Sequence, residues 1–153
     1  MEKLTTCLWF DGNAEEAVTF YTSIFRDSKV THVSHYGDNG PGPKGTVMAM
    51  AFEMNGYSFL ALNGGPQFKF TPAMSLIVSC ETQAAIDHYW DGLVAGGSAM
   101  QCGWLTDKYG VSWQIVPSRI SEWVTDPARG KRVMAAMMPM VKLDMAALER
   151  AAA

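Results

Sequence analysis

The sequence predicts an α+β fold made of two successive βαβββ modules followed by C-terminal helices. Three observations predict it. A strand-like run, a helical run and then extended segments broken by glycine turns occur in that order twice, offset by about 70 residues. The apolar spacing alternates between the strand and helix periods in the same order each time. Beyond Pro117 the strand signals stop and only helical spacing remains. The 153 residues are a single-domain length, divided into module one at about 1–66, module two at about 71–117 and a helical tail at about 118–153.

Leu4 to Phe10 is short, apolar and rich in β-formers, and Asp11, Gly12 and Asn13 end it. Asn13 is placed as an N-cap with Glu16 at the capping-box position. Ala14, Ala17, Val18, Tyr21, Ile24 and Phe25 then share one helical face. Ser28 to Tyr36 returns to extended character. Gly37 to Gly45 is a Gly/Pro loop, either a plain connector or a contact to substrate. Thr46–Met54 and Tyr57–Leu62 are strands joined by Asn55-Gly56, a strong hairpin signal because a type I′ turn needs positive φ at both central residues.

Asn63 to Phe70 reads as the loop between the halves; it lacks the GK[ST] of a phosphate-binding loop. The second cycle starts with the apolar run Met74–Cys80. Thr82 is the expected N-cap of a helix whose face is Ala85, Ile86, Tyr89, Trp90 and Leu93, stopped by Gly96-Gly97. Ser98–Trp104 is extended. The turn Asp107-Lys108-Tyr109-Gly110 then feeds the strand Val111–Val116, and Pro117 stops it. By alternation Ser112, Gln114 and Val116 share one face of that strand, and Val111, Trp113 and Ile115 the other. In the tail, Asp126-Pro127 starts a helix and Pro139 breaks it. Four methionines lie between Met134 and Met140, suited to packing, to a subunit interface or to an adaptable lid.

Composition excludes several classes. With 48% hydrophobic residues the chain can bury a core and is not disordered. A net charge of −3 with scattered Lys and Arg carries no nucleic-acid footprint. No signal peptide or membrane span is read, which makes a cytoplasmic protein the expectation. Cys7 and Cys80 sit in apolar runs as small hydrophobes; Cys102, beside Gly103, is a candidate for a partly exposed thiol. His32, His35 and His88 have no metal-ligand spacing. There is no GxSxG elbow and no GxGxxG after a strand. A methyltransferase using S-adenosylmethionine would want a glycine-rich turn after its first strand and an acidic residue ending its second, and neither is present.

The segments LWFDGNAEEAVTFYTSIF, LNGGPQFKF and CGWLTDKYGVSWQIVP resemble the PhnB-like branch of the vicinal-oxygen-chelate superfamily, which includes glyoxalase I, bleomycin-resistance proteins and extradiol dioxygenases. Members of this branch are often labelled 3-demethylubiquinone-9 3-methyltransferase-like. The resemblance implies a glyoxalase-like fold whose paired βαβββ modules form a curled mixed sheet around a pocket, usually in a homodimer. In metal-dependent relatives four ligands are His or Glu, in some Gln. Those positions fall here on Thr6, near Ala61 and Ser75, and on Gln114. Thr, Ala, Ser and Gln supply one plausible oxygen donor, so no bound metal and no cofactor are expected.

Strand parity counted from these positions gives pocket walls of Thr6, Leu8, Phe10, Phe59, Ser75, Ser112 and Gln114, and assigns Trp9 and Trp113 to the helix-facing core. No catalytic residue is assigned. The expected function is binding of a small hydrophobic or aromatic molecule, as the bleomycin-resistance relatives sequester theirs. The alternatives are a lyase, isomerase or dioxygenase of the same superfamily, and a methyltransferase.

Overall fold

The computed structural model describes residues Met1–Ala153 and divides into two compact units, Met1–Phe70 and Thr71–Ala153. Unit one runs β1 (Thr6–Phe10), α1 (Ala14–Ile24), β2 (Ser28–His35), β3 (Val47–Met54) and β4 (Tyr57–Asn63). Its sheet has the order β1-β4-β3-β2, with β1 parallel to β4 and the other pairs antiparallel. Unit two opens with β5 (Ser75–Cys80), α2 (Gln83–Val94), β6 (Ser98–Ala99), β7 (Trp104–Thr106) and β8 (Ser112–Pro117). The order β5-β8-β7-β6, again with one parallel pair, repeats the first sheet. The tail of unit two forms α3 (Ile120–Trp123), α4 (Pro127–Met137) and α5 (Met145–Ala152). No helix is long and apolar enough to cross a membrane.

In unit one, α1 buries Ala14, Ala17, Val18, Tyr21 and Ile24, the face its spacing predicts. Tyr21 stacks on Phe52, which stacks on Phe59 across the β3–β4 pair. Asn55 and Gly56 both take positive φ in the hairpin that joins these strands. Asn13 departs from expectation, because its side chain makes no capping bond. The free N–H of Ala14 instead donates to Asn63 Oδ1 at 2.9 Å, so the end of β4 caps the helix from another part of the chain.

In unit two, Thr82 caps α2 as expected, its hydroxyl accepting from the Ala85 N–H. The extended segment expected over Ser98–Trp104 is a tight hairpin instead. Cys102 (φ 60°) and Gly103 (φ 81°) take left-handed backbone there and split it into β6 and β7. At the next turn the Asp107 carboxylate, 3% exposed, accepts the backbone N–H groups of Tyr109 at 2.8 Å and Val111 at 3.1 Å, and Trp113 Nε1–H at 2.9 Å. The first two bonds shape the Asp107–Gly110 turn. The third fixes the face that β8 turns toward α2.

The tail packs as a small core of Trp123, Val133, Leu143 and Leu148 around Val116 at the end of β8. Asp126 and Asp144 cap α4 and α5 through the N–H groups of Arg129 and Ala147.

Removing the Asp107 carboxylate takes this acceptor away from two buried donors, the Val111 N–H and Trp113 Nε1–H, and from the part-buried Tyr109 N–H. Asp107→Ala is therefore expected to lower unfolding stability by about 3 kcal/mol. Urea unfolding followed by tryptophan fluorescence measures it, and a loss within about 0.5 kcal/mol of zero would assign the turn to other contacts.

Candidate functional site

Residue pairing decides which side chains share a sheet face. In unit two, Ser75 pairs with Ser112, Ile77 with Gln114 and Ser79 with Val116, while Trp104 pairs with Gln114 from the other side. These side chains form one face. Leu76, Val78, Cys80, Trp113, Ile115 and Leu105 form the other, and the last five of these are buried with Ile86, Trp90 and Leu93 of α2. Ser75, Ser112 and Gln114 thus lie on the face away from α2, and Trp113 lies in the core.

In unit one the corresponding expectation is inverted. Thr6 pairs with Phe59 and Leu8 with Ala61, and Phe59 lies beside Phe52 and Tyr21 of α1. The structure places Leu8, Phe10 and Phe59 in the helix-covered core, at 4%, 2% and 8% exposure, with Thr6 on the same side. Leu8, Phe10 and Phe59 are corrected from wall to core, and Thr6 lies half-buried at the edge of that side. Trp9 takes the opposite face: its Nε1–H donates to the Gly65 carbonyl at 2.9 Å, and its ring meets the edge of Phe68. Gly64 lies against that ring so closely that a Cβ there would overlap it. Cys7, on the same side as Trp9, is exposed and not the buried hydrophobe its neighbours suggested.

The four positions that family resemblance assigns to metal ligands do not make a donor set. Ala61 is fully buried and has no donor atom, and Thr6 faces α1. Ser75 and Gln114 bond each other, Gln114 Nε2 donating to Ser75 Oγ at 3.0 Å. No cluster of three or more His, Cys, Asp or Glu side chains lies elsewhere in the chain. By type, Thr, Ala, Ser and Gln offer no imidazole or carboxylate to a divalent ion.

Unit two does hold a cavity of about 500 Å³ on the Gln114 face. Ile77, Ser79, Trp104, Gln114 and Val116 form its floor, and Met134, Met137 and Met138 form the opposite wall. Ser118, Ile120, Ser121 and Cys102 complete the lining, which contains no charged side chain and no imidazole. Gln114 Nε2 uses one of its two N–H donors on Ser75, and the amide oxygen is the acceptor that this side chain adds to the lining. Ser112, on the same sheet face, has a buried hydroxyl with no partner.

The methionine wall was not paired with Gln114 from the sequence; the available signal was the 134/137/138 spacing, which sets three thioethers on one helix face. Tail anchors hold that wall in place. Cys102 and Gly103 N–H donate to the Met140 and Val141 carbonyls, both at 2.8 Å. Gln83 Nε2 donates to the Leu143 carbonyl at 3.1 Å, and its Oε1 accepts the Met145 N–H at 2.8 Å. Lys142 Nζ bridges Asp87 and Asp91 at 3.1 and 2.9 Å.

Unit one has a cavity of about 480 Å³ between the Gly/Pro loop and Asn63–Gln67, above the start of α1. Gly40 and Gly42 pack on the Tyr36 ring, whose hydroxyl donates to the Asn63 carbonyl. Its lining is mostly turn backbone with the exposed carboxylates Asp11 and Glu15. The polar amide and apolar walls of the unit-two cavity make it the better candidate site.

The family model for 3-demethylubiquinone-9 3-methyltransferase matches residues 2–116. The chain belongs to this 3-demethylubiquinone-9 3-methyltransferase-like, or PhnB, family. The PhnB protein of Bacillus cereus is 44% identical over 75% of this chain and 99% of its own, with a TM-score of 0.68. A Pseudomonas aeruginosa protein, 19% identical, covers 76% of this chain and 98% of its own at a TM-score of 0.64. The fosfomycin resistance protein of Listeria monocytogenes, solved with Mn(II) and sulfate, is 12% identical over 74% of this chain and 89% of its own, with a TM-score of 0.52. The likeness to the last two shows the shared vicinal-oxygen-chelate fold. No curated protein matches the chain. The family match ends at residue 116, so α3, α4 and α5, with the methionine wall, lie beyond it.

The Lys142 bridge gives the tail a pH dependence. Hydrogen bonds from Gln83 and then Lys142 hold the Asp87 carboxyl below the usual carboxylate range. A depressed value means a stabilising contribution that is present at neutral pH and lost as pH falls through that value. The gap in thermal midpoint between wild type and Lys142→Met is expected to be widest at neutral pH and to close as Asp87 protonates. A gap that does not change with pH would contradict this role of the bridge.

Proposed function

We propose that the chain binds a small, largely apolar aromatic molecule in the cavity between β8 and α4, without a divalent metal. The carrying observation is the lining: three thioethers and the Trp104 indole share it with the Gln114 amide and the hydroxyls of Ser79, Ser118 and Ser121, with no charge in the wall. A planar apolar molecule with one O–H or N–H donor suits such a space, its ring against Trp104 and the methionines and its donor on the Gln114 oxygen. In this reading the ancestral ligand positions are degenerate, and Gln114 serves as a hydrogen-bonding group. Polarising vicinal oxygens needs a Lewis acid, which Thr6, Ala61, Ser75 and Gln114 are not equipped to hold; this argues against lyase, isomerase or dioxygenase chemistry. The methyltransferase description attached to the family finds no support in the sequence signals of S-adenosylmethionine binding. Assembly as a cytoplasmic homodimer is part of the same proposal and rests on the family resemblance; sedimentation tests the dimer.

The test uses 1-naphthol as the aromatic probe and S-adenosylmethionine as the competitor class. Saturable naphthol binding that survives exhaustive chelation is expected, weakened about 5- to 10-fold in Gln114→Ala by loss of one hydrogen bond. Near-stoichiometric Zn, Ni, Mn or Fe in protein purified without chelator would overturn the metal-free reading. Thermal stabilisation by S-adenosylmethionine and not by naphthol would favour the methyltransferase.

A further inference from the structure

Packing does not account for two of the methionines in this wall. Met134 is 40% and Met138 58% exposed, although both belong to a tail with its own buried core. Positions 134, 137 and 138 stand three and four apart, so their thioethers share one face of α4 and its last turn, and all three line the cavity with Cys102. Cys102 is set opposite them by its left-handed backbone and by its N–H bond to the Met140 carbonyl. Its Sγ lies 3.7 Å from Met138 Sδ and donates to the Met138 carbonyl at 3.5 Å.

We propose that Cys102 and Met138, with Met134 or Met137 as a third donor, bind a soft monovalent metal ion, Cu(I) being the physiological candidate. Thiolate and thioether donors select Cu(I), whereas Zn(II) and harder ions want imidazole or carboxylate, absent from this lining. The spacing suits it: two metal–sulfur bonds of about 2.3 Å opened to a trigonal angle put their sulfurs about 4 Å apart. On binding, the Cys102 S–H proton passes to solvent and the sulfur–metal bond forms; the ion enters and stays as Cu(I). The site is separate from the residues that the family resemblance assigns to metal, and it stands whether or not the cavity takes an aromatic molecule.

The test is an anaerobic Cu(I) titration of the reduced full chain against the coloured bicinchoninate complex, with no organic ligand present. One equivalent per chain is expected to leave the chelator, with Zn(II) and Mn(II) unable to compete. Cys102→Gly keeps the left-handed backbone while deleting the thiol, and is expected to abolish the transfer. Met138→Leu keeps the volume and is expected to weaken it at least about ten-fold; Cys7→Ser should bind like wild type. Thermal unfolding by circular dichroism checks that each variant is folded, and if Cys102→Gly is not, Met138→Leu decides. No transfer to wild type, undiminished transfer to Cys102→Gly, or wild-type affinity in Met138→Leu would each overturn the site.

Discussion

The buried Asp107 carboxylate is the contact on which the half of the molecule that holds the candidate site depends. Three N–H groups converge on it from within six residues, which makes the turn a self-contained unit that needs little help from the rest of the chain. One of those donors is the Trp113 indole. Holding Trp113 on the α2 side commits the strand's alternation, so Gln114 must face the other way, toward the cavity. A single carboxylate therefore links turn geometry, core packing and the orientation of the one amide side chain in the candidate site.

How far the sequence revealed this depended on how local each cause was. The Asp107–Gly110 turn, the Thr82 cap and the Asp126-Pro127 helix start were legible because every partner lies within a few residues. The Asn13 cap was misread because the Ala14 N–H takes its acceptor from Asn63, 49 positions from Ala14. The first strand shows the same limit. Leu8, Trp9 and Phe10 are all large and apolar, so alternation by itself does not say which side is buried. A distant partner decides it: the Gly64-Gly65 turn receives the Trp9 ring and leaves Leu8 and Phe10 to α1. Counting parity from Thr6 therefore put the core residues on the wall.

The tail changes what the family fold presents on this sheet. Residues up to 116 supply the face bearing Gln114, Trp104 and Ile77, and the added helices lay three methionines across it. Ile77 is still 60% exposed, so one side of the floor stays open. Thioethers are unbranched and polarisable, so a methionine wall changes shape at small cost. The shared fold supplies the platform, and the tail supplies the facing wall of the cavity.

Occupancy of that space by a neutral aromatic guest is tested most directly by NMR of the full chain labelled with ¹³C at the methionine methyls. With 1-naphthol added, ring-current shifts are predicted at Met134, Met137 and Met138 and not at Met48, Met50 or Met54 of β3 in unit one. Shifts confined to the β3 methionines, or saturable binding that leaves the three tail methyls unmoved, would contradict a cavity formed between Gln114 and the α4 methionines.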